Sequence, residues 1–132
     1  MSAMRARVLI VEDHPTMREA MRMVLADEGF AVDQVADGGR ALDLVASDRP
    51  DLVLLDLNIP GISGTELLAA LKGSSATSGI PVIVVTAEEE EGRRAAMRAG
   101  AEDYLAKPFS PRALVRTVER VLGGSAPRGA SP

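Results

Sequence analysis

Short aliphatic runs recur along the chain with helical stretches between them, and this alternation limits the fold more than any other feature. The runs are "RVLIV" ending at Val11, "AVDQV" at Val35, "DLVLL" at Leu55, "PVIVV" at Val85 and "DYLAK" at Lys107, and each reads as a strand. Between them, Met17, Ala20, Met21, Val24 and Leu25 form an i, i+3, i+4, i+7, i+8 stripe, and Leu114, Val115, Val118, Val121 and Leu122 form another. Ala41, Leu42, Leu44 and Val45 mark a second helix, Leu67, Leu68 and Leu71 a third, and Ala95, Ala96 and Ala99 a fourth. Runs as apolar as "LVLL" and "VIVV" lack the alternation of a one-sided sheet. They predict strands covered on both faces, hence a parallel sheet between two layers of helices.

Cap and stop residues agree with this partition. Ser63 with Glu66, and Thr86 with Glu89, fit capping boxes, and Ser110 before Pro111 fits a cap followed by proline at the first helical position. Gly29, Gly73, Gly100 and Gly123 stand where helices are expected to stop. At 132 residues the chain holds one ordinary domain. We expect it to span residues 1–122, with "GGSAPRGASP" (123–132) too small and polar to offset its own ordering entropy and therefore a tail or linker.

Composition excludes several function classes. With 2% aromatic residues, platforms for stacking bases or sugars are largely lacking, and a net charge of -4 argues against nonspecific binding to nucleic acid or anionic membrane. No cysteine is available for a disulfide framework or a thiolate metal site. The apolar run after the N-terminal basic residues is broken at Glu12 and Asp13, and no stretch is long enough to span a bilayer, so a cytoplasmic protein is expected.

The run Leu52–Leu55 ends on an aspartate, Asp56, followed by Asn58, Pro60 and Gly61, which signal a break. A carboxylate at the mouth of a core is costly unless something there uses it. In a parallel α/β sheet, ligands bind at the carboxyl ends of the strands. Those ends carry Glu12 and Asp13 on the first strand, Asp56 on the third, Thr86 on the fourth and Lys107, followed by Pro108, on the fifth. Two ionised carboxylates about 4 Å apart repel by roughly 4 kcal/mol at an effective dielectric of about 20. A single lysine against three acids leaves a site suited to a hard divalent cation, Mg²⁺ being the natural candidate. A carboxylate nucleophile, a divalent metal, a lysine and a hydroxyl donor together have the parts for phosphoryl transfer, with an acyl phosphate on Asp56 as product.

Taken one at a time these residues have ordinary explanations. Asp13 suits a helix cap before Pro15, Thr86 suits its capping box, and Lys107 suits a solvated strand end. The run Glu88–Glu91 fits a first helical turn, where the dipole favours anions, and His14 reads as a surface neighbour of Pro15. Their convergence on one rim favours the chemical reading.

The motifs "VEDHP", "LLDLNIPGISG", "VIVVTA" and "GAEDYLAKPFS" resemble, in order and position, those of the receiver domains of two-component response regulators. The similarity runs from about Arg7 to Leu122, and the length is similar to that of the single-domain chemotaxis type. The resemblance implies a flavodoxin-like, doubly wound sandwich with five parallel strands in the order 2-1-3-4-5 and five helices. It implies that Asp56 takes a phosphoryl group from a histidine kinase or phosphotransfer protein. It further implies that Asp13, Asp56 and the Asn58 carbonyl ligate Mg²⁺, with Glu12 acting through water, and that Thr86 and Lys107 bind the phosphoryl oxygens. A cis Lys107–Pro108 peptide completes the set. We further expect a switch in which Thr86 moves toward a phosphoryl group on Asp56 and Tyr104, three residues before Lys107 and so on the opposite face of its strand, rotates into the vacated space. Ile59 departs from the family, which more often has methionine there, at little cost in volume. Such a domain catalyses only its own phosphorylation and dephosphorylation. It controls a downstream protein or its own output domain, with no direct contact to nucleic acid or membrane.

The segment "KPFSPRALVRTVERVL" resembles receivers joined to winged-helix DNA-binding domains, which dimerise through the fourth helix, fifth strand and fifth helix. Arg93, Glu102 and Asp103 are candidates for that face. Two alternatives use the same residues. Haloacid dehalogenase-like phosphatases also place an aspartate at a strand end with Mg²⁺, threonine and lysine, but their general acid and base lies two residues on, where this chain has Asn58. A receiver-like interaction module without phosphorylation is the other.

Overall fold

The computed structural model describes residues 5–87 and 90–125. The elements alternate as β1 (Arg7–Val11), α1 (Pro15–Asp27), β2 (Ala31–Val35), α2 (Gly38–Ser47), β3 (Leu52–Asp56), α3 (Gly64–Gly73), β4 (Val82–Thr86), α4 (Glu90–Arg98), β5 (Asp103–Ala106) and α5 (Pro111–Ser125). All pairings are parallel, in the order β2-β1-β3-β4-β5. The expected fold class is thus the observed one.

Alternate residues of the central strands feed two cores. Leu9, Val11, Val53, Leu55, Val82 and Val84 face α2, α3 and α4, where Ala41, Val45, Leu67, Leu68, Leu71 and Ala96 close over them. Val8, Ile10, Leu52, Leu54, Ile83 and Val85 face α1 and α5, against Met21, Leu25, Leu114, Val118 and Val121. Every residue of β3 and β4 is buried, which is why their sequences do not alternate. Each fully buried Leu or Val contributes about 1.5 to 3 kcal/mol relative to exposure, enough to fix the central strands and their ends.

Side-chain caps set where several helices begin. Ser63 and Glu66 form the expected reciprocal capping box on α3, and Ser110 Oγ accepts from the Ala113 N–H at 3.0 Å on α5. Asp37, not singled out in the sequence, caps α2 by accepting from the Arg40 N–H at 2.9 Å. The partner of the Thr86 capping box, Glu89, lies outside the described residues, as does Glu88. Two expectations are corrected. Asp13 does not cap α1, because the N-cap is His14, which makes no side-chain cap hydrogen bond. Nor does Gly123 end α5: the apolar stripe through Leu122 keeps the helix packed, and it continues to Ser125.

Candidate functional site

The chain leaves the tops of β1 and β3 in opposite directions, toward β2 and β4, and opens a crevice between two adjacent strands. Glu12 and Asp13 follow β1 directly, and Asp56 is the last residue of β3, so three carboxylates reach the crevice from neighbouring strands. One oxygen from each lies within 4.8 Å of the others. Glu12 and Asp56 are buried, at 1% and 4% exposure, while Asp13 is exposed. These acids, Asn58, Ala87 and Lys107 border a cleft of about 420 Å³.

Lys107 is the cation of this cluster. It follows β5, and its backbone N–H donates to the Thr86 carbonyl at 3.0 Å, which holds it beside the end of β4. Its ammonium donates to Glu12 Oε1 and to Asp56 Oδ2, each at 3.0 Å. The Lys107–Pro108 peptide is cis, as the resemblance implies. Both carboxylates use their second oxygen as well: Asp56 Oδ1 accepts from the Asn58 N–H at 3.0 Å, and Glu12 Oε2 accepts from the His14 N–H at 3.3 Å.

The charges do not cancel. Burial pushes the Glu12 carboxyl above the usual glutamate range, the Lys107 ammonium opposes that rise, and the Asp56 charge adds to it. Burial alone would lower the Lys107 ammonium, but its hydrogen bonds to Glu12 and Asp56 outweigh this and raise it. One ammonium among three carboxylates leaves an excess of negative charge at the mouth of the cleft. Oxygen donors that converge around such an excess fit a hard divalent cation.

Thr86, the last residue of β4, is fully buried one register step beyond the Val85 that pairs with Asp56. Tyr104 lies in β5, paired with Val84, and packs on the core formed with α2, α3 and α4, whereas its neighbour Leu105 belongs to the other core. The expected site residues Glu12, Asp13, Asp56, Asn58 and Lys107 therefore meet in one cleft, Thr86 lies buried next to Ala87, which lines its β4 side, and Tyr104 faces the α4 layer. His14 lines the cleft but takes part through its backbone.

Sequence reasoning missed Arg18. From the first turn of α1, its guanidinium donates to the Glu12 carbonyl at 3.0 Å and ties the helix back to the acidic pair. Among the residues considered for a pairing face, Glu102 is exposed and accepts from Lys72 Nζ at 3.0 Å and from the Val82 N–H at 2.7 Å. Asp103 pairs with Arg120 at 2.8 Å, and Arg93 lies 3.8 Å from Glu90 on the same helix.

Comparison with known proteins bears on this arrangement. Residues 8–119 match the response regulator receiver domain family. The chain is 41% identical over 123 residues to the DNA-binding response regulator MtrA of Mycolicibacterium smegmatis, covering 92% of this chain and 53% of that protein. It thus spans about half the length of the curated relatives it matches. Among solved structures, a putative response regulator from Chloroflexus aurantiacus superposes with a TM-score of 0.86 at 35% identity, over 89% of this chain and 98% of that one. The receiver domain of the sensor histidine kinase PA1611 from Pseudomonas aeruginosa, with magnesium coordinated in its active-site cleft, gives 0.83 at 32% identity over 89% and 98%. No helix among the described residues is long and apolar enough to cross a membrane. With the acids, the lysine and the threonine arrayed on the rim of a β2-β1-β3-β4-β5 sheet, this chain belongs to the receiver-domain family of two-component response regulators.

Proposed function

We propose that Asp56 is the phospho-acceptor of this receiver domain. A carboxylate oxygen of Asp56 attacks the phosphorus of a phosphohistidine on a histidine kinase or phosphotransfer protein. The P–N bond breaks, the imidazole leaves with its electron pair, and an acyl phosphate forms on Asp56. The observation that carries this reading is the placement of Asp56, buried at a strand exit with Lys107 3.0 Å from one oxygen and the Asn58 N–H 3.0 Å from the other. Groups so arranged hold the nucleophile in one orientation before a donor arrives.

Asp13, Asp56 and the Asn58 carbonyl would hold Mg²⁺, with Glu12 assisting through water. When bound, Mg²⁺ supplies positive charge that offsets the negative oxygens of the transferred group. Lys107 and Thr86 then bind those oxygens, and the same groups serve hydrolysis of the acyl phosphate, so the domain catalyses its own phosphorylation and dephosphorylation. The phosphorylated state is read through α4, β5 and α5 by a downstream partner, an output domain or a second copy of the chain, in the cytoplasm. In a homodimer, Arg93, Glu102 and Asp103 are candidate charged groups for that face, and each would exchange a partner within the chain, Glu90, Lys72 and Arg120 respectively, for one on the second copy.

Incubation with acetyl phosphate and Mg²⁺, followed by mass spectrometry, tests the acceptor. One phosphoryl group is expected on Asp56 and none in Asp56→Asn, whose amide is a poor nucleophile. Phosphate incorporated by Asp56→Asn at the wild-type rate would remove Asp56 from the role. Steady turnover of small phosphate esters would instead favour a phosphatase.

A further inference from the structure

Two helices of this fold begin on a buried glycine, and the surroundings of the two differ in a way that bears on the acceptor. Gly38 and Gly64 are each the first helical residue after the N-cap, of α2 and α3 respectively. A Cβ on Gly38 would lie 2.7 Å from the Ile62 carbonyl oxygen and 3.0 Å from the Ile62 Cβ. A Cβ on Gly64 would lie 2.4 Å from the Leu57 Cα, 2.7 Å from the Asp56 carbonyl oxygen and 2.8 Å from the Leu57 carbonyl carbon. Both helices therefore press on the segment between β3 and α3, but only Gly64 presses on the backbone of Asp56 itself.

The contact continues into the site. The Gly64 N–H donates to the Leu57 carbonyl at 3.1 Å, so the segment leaving β3 returns and closes on its own origin. That same Leu57 peptide group carries, on its far side, the Asn58 N–H that holds Asp56 Oδ1 at 3.0 Å. Helix position, peptide plane and carboxylate orientation are thus linked through three adjoining groups.

We propose that Gly64 is a positioning residue for the reaction at Asp56: the missing side chain lets α3 rest on the Asp56–Leu57 backbone and fix the Asn58 N–H against the acceptor carboxylate. The proposal rests on Asp56 being the acceptor. Moving a Cβ from 2.4 Å to ordinary contact near 3.4 Å requires a shift of about 1 Å, and a misplacement of that size costs as much as about a hundredfold in rate. The same substitution at Gly38 displaces Ile62, farther along the segment, and leaves the Asp56–Leu57 peptide in place.

The test compares Gly64→Ala with Gly38→Ala, matched for helix position and chemical change, with nearest approaches of 2.4 and 2.7 Å to an added Cβ. Phosphorylation by acetyl phosphate at saturating Mg²⁺ is expressed per folded molecule, counted from native amide spectra. The Asn58 amide proton resonance is recorded without metal. Gly64→Ala is expected to react at least tenfold more slowly than Gly38→Ala and to shift the Asn58 resonance, which stays in place in Gly38→Ala. A smaller difference in rate, or an Asn58 resonance that moves alike in both, overturns the proposal. Wild-type protein left unmodified at Asp56 overturns the acceptor assignment, and this proposal with it. If Gly64→Ala does not fold, amide exchange in the wild type decides. Gly64 and Asn58 should then show protection factors within threefold of each other, because one local opening releases both. Unequal protection overturns the link.

Discussion

Replacing Lys107 with methionine removes the ammonium and keeps most of the stem, so its effect reports on charge more than on packing. In the wild type, Nζ sits 3.0 Å from Glu12 Oε1 and 3.0 Å from Asp56 Oδ2. At an effective dielectric of about 20, each contact is worth roughly 5 kcal/mol in gross attraction, against which stands the desolvation of all three groups. The two acids, left facing each other at up to 4.8 Å, repel by roughly 3.5 kcal/mol on the same scale. Removing one member of a buried charged cluster costs about 3 to 5 kcal/mol, since the remaining charges lose their counterion but stay buried. We therefore expect Lys107→Met to lose about 3 to 5 kcal/mol of stability at pH 8 without metal.

The pH dependence has a definite sign. Glu12 already titrates above the glutamate range through burial, and loss of the opposing lysine pushes it further up. A carboxyl raised in the folded state costs stability in full above its folded pKa, and that cost diminishes as pH falls from there toward the unfolded value. The deficit of the variant should consequently shrink between pH 8 and pH 5.5. Mg²⁺ should stabilise the variant more than the wild type, because the cation then enters a site with no ammonium opposing it. Urea unfolding followed by far-ultraviolet circular dichroism is the appropriate assay, since the chain has no tryptophan and one tyrosine. A loss below about 1 kcal/mol at pH 8, the range of an exposed ion pair, would refute the reasoning, as would a loss independent of pH.

Three further outcomes follow from the same geometry. Asp13→Ala should leave stability within about 0.5 kcal/mol, because Asp13 is exposed and caps nothing, yet weaken Mg²⁺ binding and slow phosphorylation together, as calorimetric titration and mass spectrometry would show. Glu12→Gln should raise the urea midpoint of the metal-free protein at pH 8, where the buried charge is removed and a carbonyl is left to accept from Lys107. That gain should fade as pH falls through the raised Glu12 titration, and a gain that grew on acidification would contradict the assignment. Thr86→Ala should still accept phosphate at Asp56 but lose most of the phosphorylation-dependent amide shifts around Tyr104. The full wild-type shift pattern in that variant would break the proposed link between the two residues.

How much of this was legible in the sequence varies with the reach of the side chain concerned. β3 and β4 were legible because strands buried on both faces are aliphatic up to the residue at their exit, and each run is bounded by proline. The site was legible for a related reason. In a parallel sheet every strand exits on the same rim, so Glu12, Asp56, Thr86 and Lys107 had to converge once the strands were placed. Long charged side chains carry no such constraint. Arg7, at the start of β1, gathers Asp33 at 2.7 Å and both oxygens of Asp48 at 2.5 Å, and Glu102 pairs with Lys72 thirty residues away, yet neither pairing leaves a periodic trace. Asp13 illustrates the limit at short range. Before Pro15 it has the composition of a cap, but the helix takes His14 as its N-cap and leaves Asp13 to the rim.

The glycines mark the same boundary from the other side. "SG" before the apolar run of α3 reads as a cap and a break, which accounts for Ser63 but not for what Gly64 touches. A Cβ there would come within 2.4 Å of the backbone of a residue seven positions earlier, and no local propensity encodes such an approach. Residues that carry charge can be predicted from where strands end. Residues that hold those charges in place become visible only when two backbones are seen in contact. In this fold the Asp56 carboxylate is held by a backbone group, the Asn58 N–H, as well as by the lysine whose side chain the sequence announces, and Gly64 bonds to the same Leu57–Asn58 peptide.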